Sequence, residues 1–169
     1  VCMNCRVLTV STCVSQLFLP AILSTTVMLS VRKSWQTTVP PLTFIAAVNP
    51  VKYQFATPVF IDCDDSFCMD TTKLQDFCQQ ECGFDGKQLT YKGNPVKAVV
   101  IVHVFGNMAD MTALMSIAHK YNLKVIEDAT EALGSKYIDG PLAGKYAGTI
   151  GDFGCYSFNG NKIITTGGG

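Results

Sequence analysis

Apolar residues follow two different periods along the chain from residue 59 onward. Short, nearly continuous apolar runs, typical of buried strands, separate longer stretches in which apolar residues recur with helical spacing. In chain order the pattern predicts a strand at 59–63, a helix from Asp70 to about 81, a strand at 97–104, a helix capped by Asp110, and a strand at 123–127. This order predicts an α/β fold.

The run KAVVIVHV at residues 97–104 is the strongest strand signal. It is apolar on both faces, which is typical of a central parallel strand covered by helices. The helix that follows places Met111, Leu114, Met115 and Ala118 on one face, so its methionines are predicted to be core residues. With right-handed crossovers the sheet is mostly parallel, and ligands are expected at the carboxyl ends of its strands.

Two stretches are less regular. Residues 44–55 have a helical spread of apolar side chains, but Pro50 is expected to kink or shorten that helix. Residues 83–95 (GFDGKQLTYKGNP) are rich in turn formers. They are predicted to form a surface hairpin or loop that carries little chemistry.

The amino-terminal part differs in composition from the rest. Residues 1–61 carry four basic side chains and no acid, and all 13 acids lie from Asp62 onward. Residues 1–38 show neither period and no motif, so we treat them as an atypical segment, diverged or read out of frame. The run 7–31 has no charge, but nine of its 25 residues are Ser, Thr or Gln and Pro20 lies inside it, which argues against a membrane span.

Composition narrows the possible partners. The net charge is zero and no basic cluster occurs, so neither nucleic acid nor a membrane is expected as a partner. Of the eight cysteines, Cys2 and Cys5 have zinc-ligand spacing, but no second such pair follows. We therefore expect no bound metal. The cysteines are expected to be buried free thiols in a reducing compartment, and this favours a cytoplasmic protein.

Asp128 and Lys162 are the residues around which a chemical hypothesis can be built. Asp128 follows the apolar run at 123–126, which places it where ligands bind, although an acid there is also typical of a helix cap. Lys162 lies in a Gly/Asn-rich loop. An acid that keeps a pyridine nitrogen protonated, together with an amine that forms a Schiff base, is what a pyridoxal phosphate site needs.

Neighbouring residues fit the same hypothesis. Glu131 lies one turn after Asp128, and two carboxylates there require a cation, which a protonated pyridine ring supplies. Ser157 precedes Lys162 by five residues, and a hydroxyl with loop amides suits a phosphate. His103, at the end of the central strand, is either a core histidine with satisfied ring nitrogens or a residue beside the cofactor.

Several blocks of sequence resemble the DegT/StrS family of pyridoxal-phosphate-dependent nucleotide-sugar aminotransferases. They occur in the family's order and spacing between about residue 39 and the end of the chain. The matching blocks are PLTFIA at 41–46, ATPVFID at 56–62, VHVFGN at 102–107, VIEDATEALG at 125–134 and SFNGNKIITTGGG at 157–169.

The resemblance implies a fold and a set of domains. The fold is the three-layer α/β/α large domain of the type I pyridoxal phosphate enzymes, with a mostly parallel sheet. Residues 39–169 correspond to part of that domain, and the small carboxyl-terminal domain is absent, so the chain is expected to be a fragment. The family's Ser-Gly-Thr phosphate-binding turn has no counterpart in residues 1–38.

The resemblance also assigns roles to single residues. Lys162 matches the Schiff-base lysine, and Asp128 matches the partner of the pyridine nitrogen. Glu131 stands where the family has Gln or Glu near the ring. Ser157 matches a phosphate ligand, and Phe44 matches the aromatic residue that stacks on the cofactor.

The activity implied is transfer of an amino group from L-glutamate to a keto sugar. SFNGNKIITTGGG and the insertion before Lys97 look like the branch that aminates UDP-linked 4-keto-6-deoxy sugars on the way to legionaminic acid or bacillosamine-type sugars. A homodimer is expected for the full-length family member. The alternatives are an inactive, non-enzymatic remnant of such an enzyme, or an aminotransferase for a different keto sugar.

Overall fold

A computed structural model describes the backbone of residues 6–10 and residues 35–167 in full. The strands are β1 Arg6–Val10, β2 Gln36–Val39, β3 Thr57–Phe60, β4 Cys82–Phe84, β5 Leu89–Tyr91, β6 Asn94–Val102, β7 Lys124–Asp128 and β8 Phe153–Ser157. The helices are α1 Asn49–Tyr53, α2 Thr71–Asp76 and α3 Met111–Tyr121. Short 3-10 turns lie at Ile45–Ala47, Val104–Gly106 and Gly140–Leu142, and a π-helical turn lies at Phe77–Glu81.

The strands form one mostly parallel sheet, as predicted. Their order is β1-β8-β7-β6-β2-β3, and every neighbouring pair along it is parallel. The hairpin β4–β5 pairs antiparallel with the start of β6 and corresponds to the turn-rich insertion. Val102 of β6 lies opposite Asp128 of β7, which in turn lies opposite Cys155 of β8. The carboxyl ends of these three strands therefore meet at one edge.

Helices cover the sheet on both faces. Val99 and Ile101 of β6 pack with Leu114 of α3 in one core, and α2 contributes to the same core. Val100 and Val102 point the opposite way and pack with the segment at 45–53. The alternation confirms that residues 97–104 contain a central strand buried on both sides.

The predicted helix starts are confirmed. The Asp70 side chain accepts the N–H groups of Thr72 and Lys73 at the start of α2, and Asp110 accepts that of Ala113 at the start of α3. Pro50 lies in the first turn of the five-residue α1, so the helix expected over 44–55 is shortened as predicted.

Some sequence predictions fall outside the described residues. Of the uncharged run 7–31, only the first residues are described, in β1, which pairs with β8. Over the described ranges, no helix is long and apolar enough to cross a membrane. Cys2 and Cys5 lie outside the described residues. Within the described residues, no group of three or more His, Cys, Asp or Glu side chains could hold a metal ion. The domain division stays a prediction, and β2 spans its boundary between residues 38 and 39.

Candidate active site

A cavity of ≈ 390 Å³ opens at the carboxyl ends of β6, β7 and β8. This is the edge at which a parallel α/β sheet binds its ligands. Each of the three strands contributes through the segment at or just beyond its end. The lining residues are Phe105, Thr130, Glu131, Leu133, Ser157, Asn161, Lys162 and Ile163.

Lys162 and Glu131 face each other across this cavity. The Lys162 Nζ atom lies 3.9 Å from Oε1 of Glu131, and the lysine side chain is 22% exposed. The Lys162 N–H donates to the carbonyl of Asn159 at 3.0 Å, which closes a turn that presents the lysine. The structure thus brings together two of the predicted site residues from separate segments.

Glu131 also fixes the turn after β6. Its Oε2 atom accepts the backbone N–H of Phe105 at 2.9 Å. Phe105 has a φ of 57°, which is uncommon for a residue with a side chain, and the residue is 71% exposed. The carboxylate of Glu131 therefore holds an aromatic residue in a strained conformation at the cavity rim.

Asp128 ends β7 and is almost buried, with 8% of its surface exposed. Its Oδ1 atom accepts the N–H of Thr130 at 3.1 Å. Burial raises the pKa of Asp128, opposed by the hydrogen bonds from Thr130 and by the positive charge of Lys162. Ionising this buried carboxyl group is costly unless a cation lies beside it. The protonated ring nitrogen of a bound cofactor would supply that cation.

Ser157 and Phe44 are placed differently. Ser157 ends β8 and lines the cavity, where its Oγ atom accepts the N–H of Asn159 at 3.4 Å. Phe44 precedes the first 3-10 turn, is 79% exposed and is not among the residues that line the cavity. The predicted stacking role of Phe44 therefore stays a prediction.

His103 lies in the core, with both ring nitrogens hydrogen bonded. It is completely buried, its Nδ1 atom accepts the N–H of Ala109 at 3.2 Å, and its Nε2 atom lies 3.0 Å from Oε2 of Glu127. This arrangement is the core histidine that the sequence offered as one of its two interpretations.

Glu127 is the buried residue that sequence reasoning missed. Its Oε2 atom also accepts the N–H of Gly148 at 2.9 Å, and its Oε1 atom accepts those of Ile150, at 2.6 Å, and Gly151. Burial raises its pKa, but the hydrogen bonds from His103, Gly151 and Ile150 outweigh burial, and the net pKa is lowered. The sequence did contain one indication of this role, an acid inside an apolar strand. An acidic side chain in that position stays buried only when it is fully hydrogen bonded.

These residues have the chemistry that pyridoxal phosphate requires. A buried acid, an amine and a hydroxyl lie at one sheet edge, and the cavity gives access to the amine and the hydroxyl. The acid suits the ring nitrogen, the amine suits the aldehyde, and the hydroxyl suits the phosphate.

Comparison with known proteins gives a consistent result. The sequence profile of the DegT/DnrJ/EryC1/StrS aminotransferase family matches residues 5–169. GDP-perosamine synthase of Escherichia coli O157:H7 is 42% identical over 132 residues, which cover 78% of this chain and 31% of that enzyme. UDP-N-acetyl-3-dehydro-alpha-D-glucosamine 3-aminotransferase of Acidithiobacillus ferrooxidans is 36% identical over 126 residues, covering 75% of this chain and 29% of the enzyme.

Solved structures agree with the sequence match. The aminotransferase from Psychrobacter cryohalolentis superposes with a TM-score of 0.65 at 34% identity, over 80% of this chain and 30% of that one. The chain thus spans about a third of the length of these relatives. Members of the matched family depend on pyridoxal phosphate. The chain belongs to the DegT/DnrJ/EryC1/StrS aminotransferase family.

Proposed function

We propose that this chain carries the cofactor-binding part of an enzyme that transfers an amino group to a nucleotide-linked keto sugar with pyridoxal phosphate. The observation that supports this most strongly is the placement of Lys162. Its amine lies in the cavity at the carboxyl ends of β6 to β8, 3.9 Å from the Glu131 carboxylate. The buried Asp128 lies close enough for Lys162 to affect its pKa.

Each predicted site residue has a role in this proposal. When bound, pyridoxal phosphate supplies an electron-accepting ring and an aldehyde that carries the amino group. Asp128 accepts a hydrogen bond from the ring nitrogen and keeps it protonated. Ser157 would bind the phosphate, Phe44 would stack on the ring, and the Lys162 amine would hold the aldehyde end of the cofactor.

Glu131 assists Lys162. Its carboxylate lies 3.9 Å from the amine, where it attracts the charged ammonium group and orients it at the cavity. The same carboxylate holds the Phe105 turn through the backbone N–H. Glu131 therefore couples the lysine to the shape of the cavity rim.

For the substrates we propose a UDP-linked 4-keto-6-deoxy sugar as acceptor and L-glutamate as amino donor. The support is the resemblance of SFNGNKIITTGGG and of the insertion before Lys97 to the legionaminic acid or bacillosamine branch. A second candidate is a keto sugar carried by another nucleotide, because relatives are named for GDP-linked, UDP-linked and dTDP-linked sugars. We further propose a homodimer and a cytoplasmic location for the whole enzyme.

Cofactor titration tests the proposed site. The purified chain is titrated with pyridoxal phosphate while the visible absorbance is recorded, beside Lys162→Ala and the matched control Lys87→Ala in the surface hairpin. We expect a saturable visible band in the wild type and in Lys87→Ala that is absent in Lys162→Ala. A band of equal strength in all three proteins contradicts the proposal.

The acceptor is tested separately. The cofactor-loaded protein is incubated with L-glutamate and a panel of keto sugars linked to UDP, GDP or dTDP, and 2-oxoglutarate release is measured. Release that depends on the UDP-linked 4-keto sugar supports the first candidate. Release with a GDP- or dTDP-linked sugar alone favours the second.

A further inference from the structure

We propose that the buried pair His103 and Glu127 positions the end of β7 so that Asp128 meets the cofactor ring. The inference rests on the proposed function, because it assigns the pair a role toward the same site. Both side chains are completely buried, and neither is among the residues that line the cavity. They are therefore positioning residues and not catalytic ones.

The hydrogen bonds of His103 define its protonation. Its Nδ1 atom accepts a backbone N–H, so the ring proton is on Nε2 and is donated to Glu127. The histidine is thus neutral, and the lowered pKa of Glu127 keeps that carboxylate ionised. The charge of Glu127 is held by one imidazole N–H and three backbone N–H groups, which constrains the carboxylate from several directions.

The pair connects the three segments that form the cavity. The backbone N–H of His103 donates to the carbonyl of Asp128 at 3.0 Å, which joins the ends of β6 and β7. Glu127 binds the N–H groups of the turn at 148–151, which leads into β8 and Ser157. Phe105, at the rim, follows His103 by two residues. A shift of Glu127 would move all three segments.

Stability alone gives little reason for a polar pair at this point. On the same face, β6 and β7 bury the apolar Val99, Ile101 and Val125, and the pair interrupts that face next to the cavity. A well-packed apolar replacement of a buried polar pair is often as stable or more so. The His103–Glu127 pair fixes the end of β7 through directional hydrogen bonds. Such a pair is expected if Asp128 must be placed accurately.

Glu127, near the carboxyl end of β7, and Asp152, which contacts the start of β7, allow a matched comparison. Glu127→Gln keeps the side-chain size but turns an acceptor oxygen into a donor amide facing N–H groups. Asp152→Asn is the control, because Asp152 accepts the N–H of Val125 at 2.9 Å at the far end of the strand. We expect Glu127→Gln to weaken pyridoxal phosphate binding about 10- to 100-fold, the range seen when groups that hold metal ligands are removed. Asp152→Asn is expected to keep the wild-type affinity.

A second readout needs no cofactor. The Thr130 N–H donates to Asp128 Oδ1, so its amide resonance in a ¹H–¹⁵N spectrum reports the placement and charge of that acid. We expect Glu127→Gln to move this resonance and change its pH titration, and Asp152→Asn to leave both as in the wild type. A purely structural role for Glu127 predicts lower stability of Glu127→Gln and an unchanged Thr130 titration in its folded fraction.

Histidine variants give an independent test. The amide of His103→Gln can reach Glu127 in place of Nε2–H, whereas that of His103→Asn is too short. We expect His103→Gln to keep the wild-type affinity for pyridoxal phosphate and the wild-type Thr130 titration. We expect His103→Asn to lose both. Equal behaviour of the two variants, or of Glu127→Gln and Asp152→Asn, overturns the inference.

If Glu127→Gln does not fold, the comparison of His103→Gln with His103→Asn decides, again by cofactor affinity and the Thr130 titration. If the wild type does not bind the cofactor, the proposed function fails, while the Thr130 titration still decides whether the pair positions Asp128.

Discussion

Oε1 of Glu131 lies 3.9 Å from the Lys162 amine, while Oε2 of the same carboxylate accepts the N–H of Phe105 at 2.9 Å. One side chain thus links the lysine to the strained turn after β6. Glu131→Ala removes both interactions, whereas Glu131→Gln keeps an acceptor for Phe105. We expect the alanine variant to bind pyridoxal phosphate about fivefold more weakly than the glutamine variant, which corresponds to about 1 kcal/mol for one hydrogen bond. Equal affinities measured by absorbance titration contradict this role.

Asp128→Asn is expected to stabilise the cofactor-free chain at neutral pH. Burial raises the pKa of Asp128 above its ordinary value of 3.8, so between that value and the raised pKa the folded state retains a proton that the unfolded state has lost. The free energy of unfolding therefore falls as pH rises from 3.8 through the raised pKa. The asparagine variant lacks this decline, because it has no ionisable group there.

Urea unfolding at a series of pH values checks this expectation. The difference between Asp128→Asn and the wild type should be small at low pH, grow as pH rises above 3.8, and then level off. In the same variant the affinity for pyridoxal phosphate should fall at least about tenfold, since a hydrogen bond to a charged group contributes roughly 1.5–3 kcal/mol. A variant less stable than the wild type at neutral pH contradicts the account of Asp128.

Gly154→Ala is expected to disrupt the packing of β8. A Cβ atom at Gly154 would lie 1.8 Å from the carbonyl oxygen of Gly148, whose N–H binds Glu127. The clash is with backbone, so we expect a loss of about 3 kcal/mol or more in the free energy of unfolding. Gly86→Ala is the control, because nothing lies within 4 Å and only its φ of +88° costs stability. Similar losses in the two variants would show that the contact is not tight.

Thr38→Val is expected to stabilise the chain. Thr38 is fully buried in β2, and its hydroxyl has no hydrogen-bond partner in the described part of the chain. Replacing the hydroxyl by a methyl group keeps the shape and removes an unsatisfied polar group, so we expect a gain of about 1 kcal/mol in thermal or urea unfolding. Thr90→Val, which loses a hydrogen bond of 3.2 Å to the Gly83 carbonyl, should show no gain. A destabilised Thr38→Val variant would mean that the hydroxyl is hydrogen bonded.

The central part of the fold could be predicted from sequence because local signals agreed there. The run at 97–104 is apolar on both faces, and Asp70 and Asp110 are strong helix caps, so strand and helix positions followed. β2 was not predicted, because Gln36, Thr37 and Thr38 are polar although the structure buries them. Burial of these residues depends on pairing with β6 and β3, which no local pattern contains.

The candidate site was predictable in part for a similar reason. Asp128, Glu131, Ser157 and Lys162 lie at or beyond strand ends, and a parallel sheet brings such ends together. Glu127 was missed because its four donors come from residues far along the chain, which the sequence does not place beside it.

Chemical trapping of the cofactor tests the central claim most directly. The chain is incubated with pyridoxal phosphate, reduced with borohydride, digested and analysed by peptide mass spectrometry. Our account predicts a pyridoxyl group on Lys162, and none at other sites when Lys162→Ala is treated in the same way. A label spread over surface lysines, with none enriched on Lys162, would contradict it.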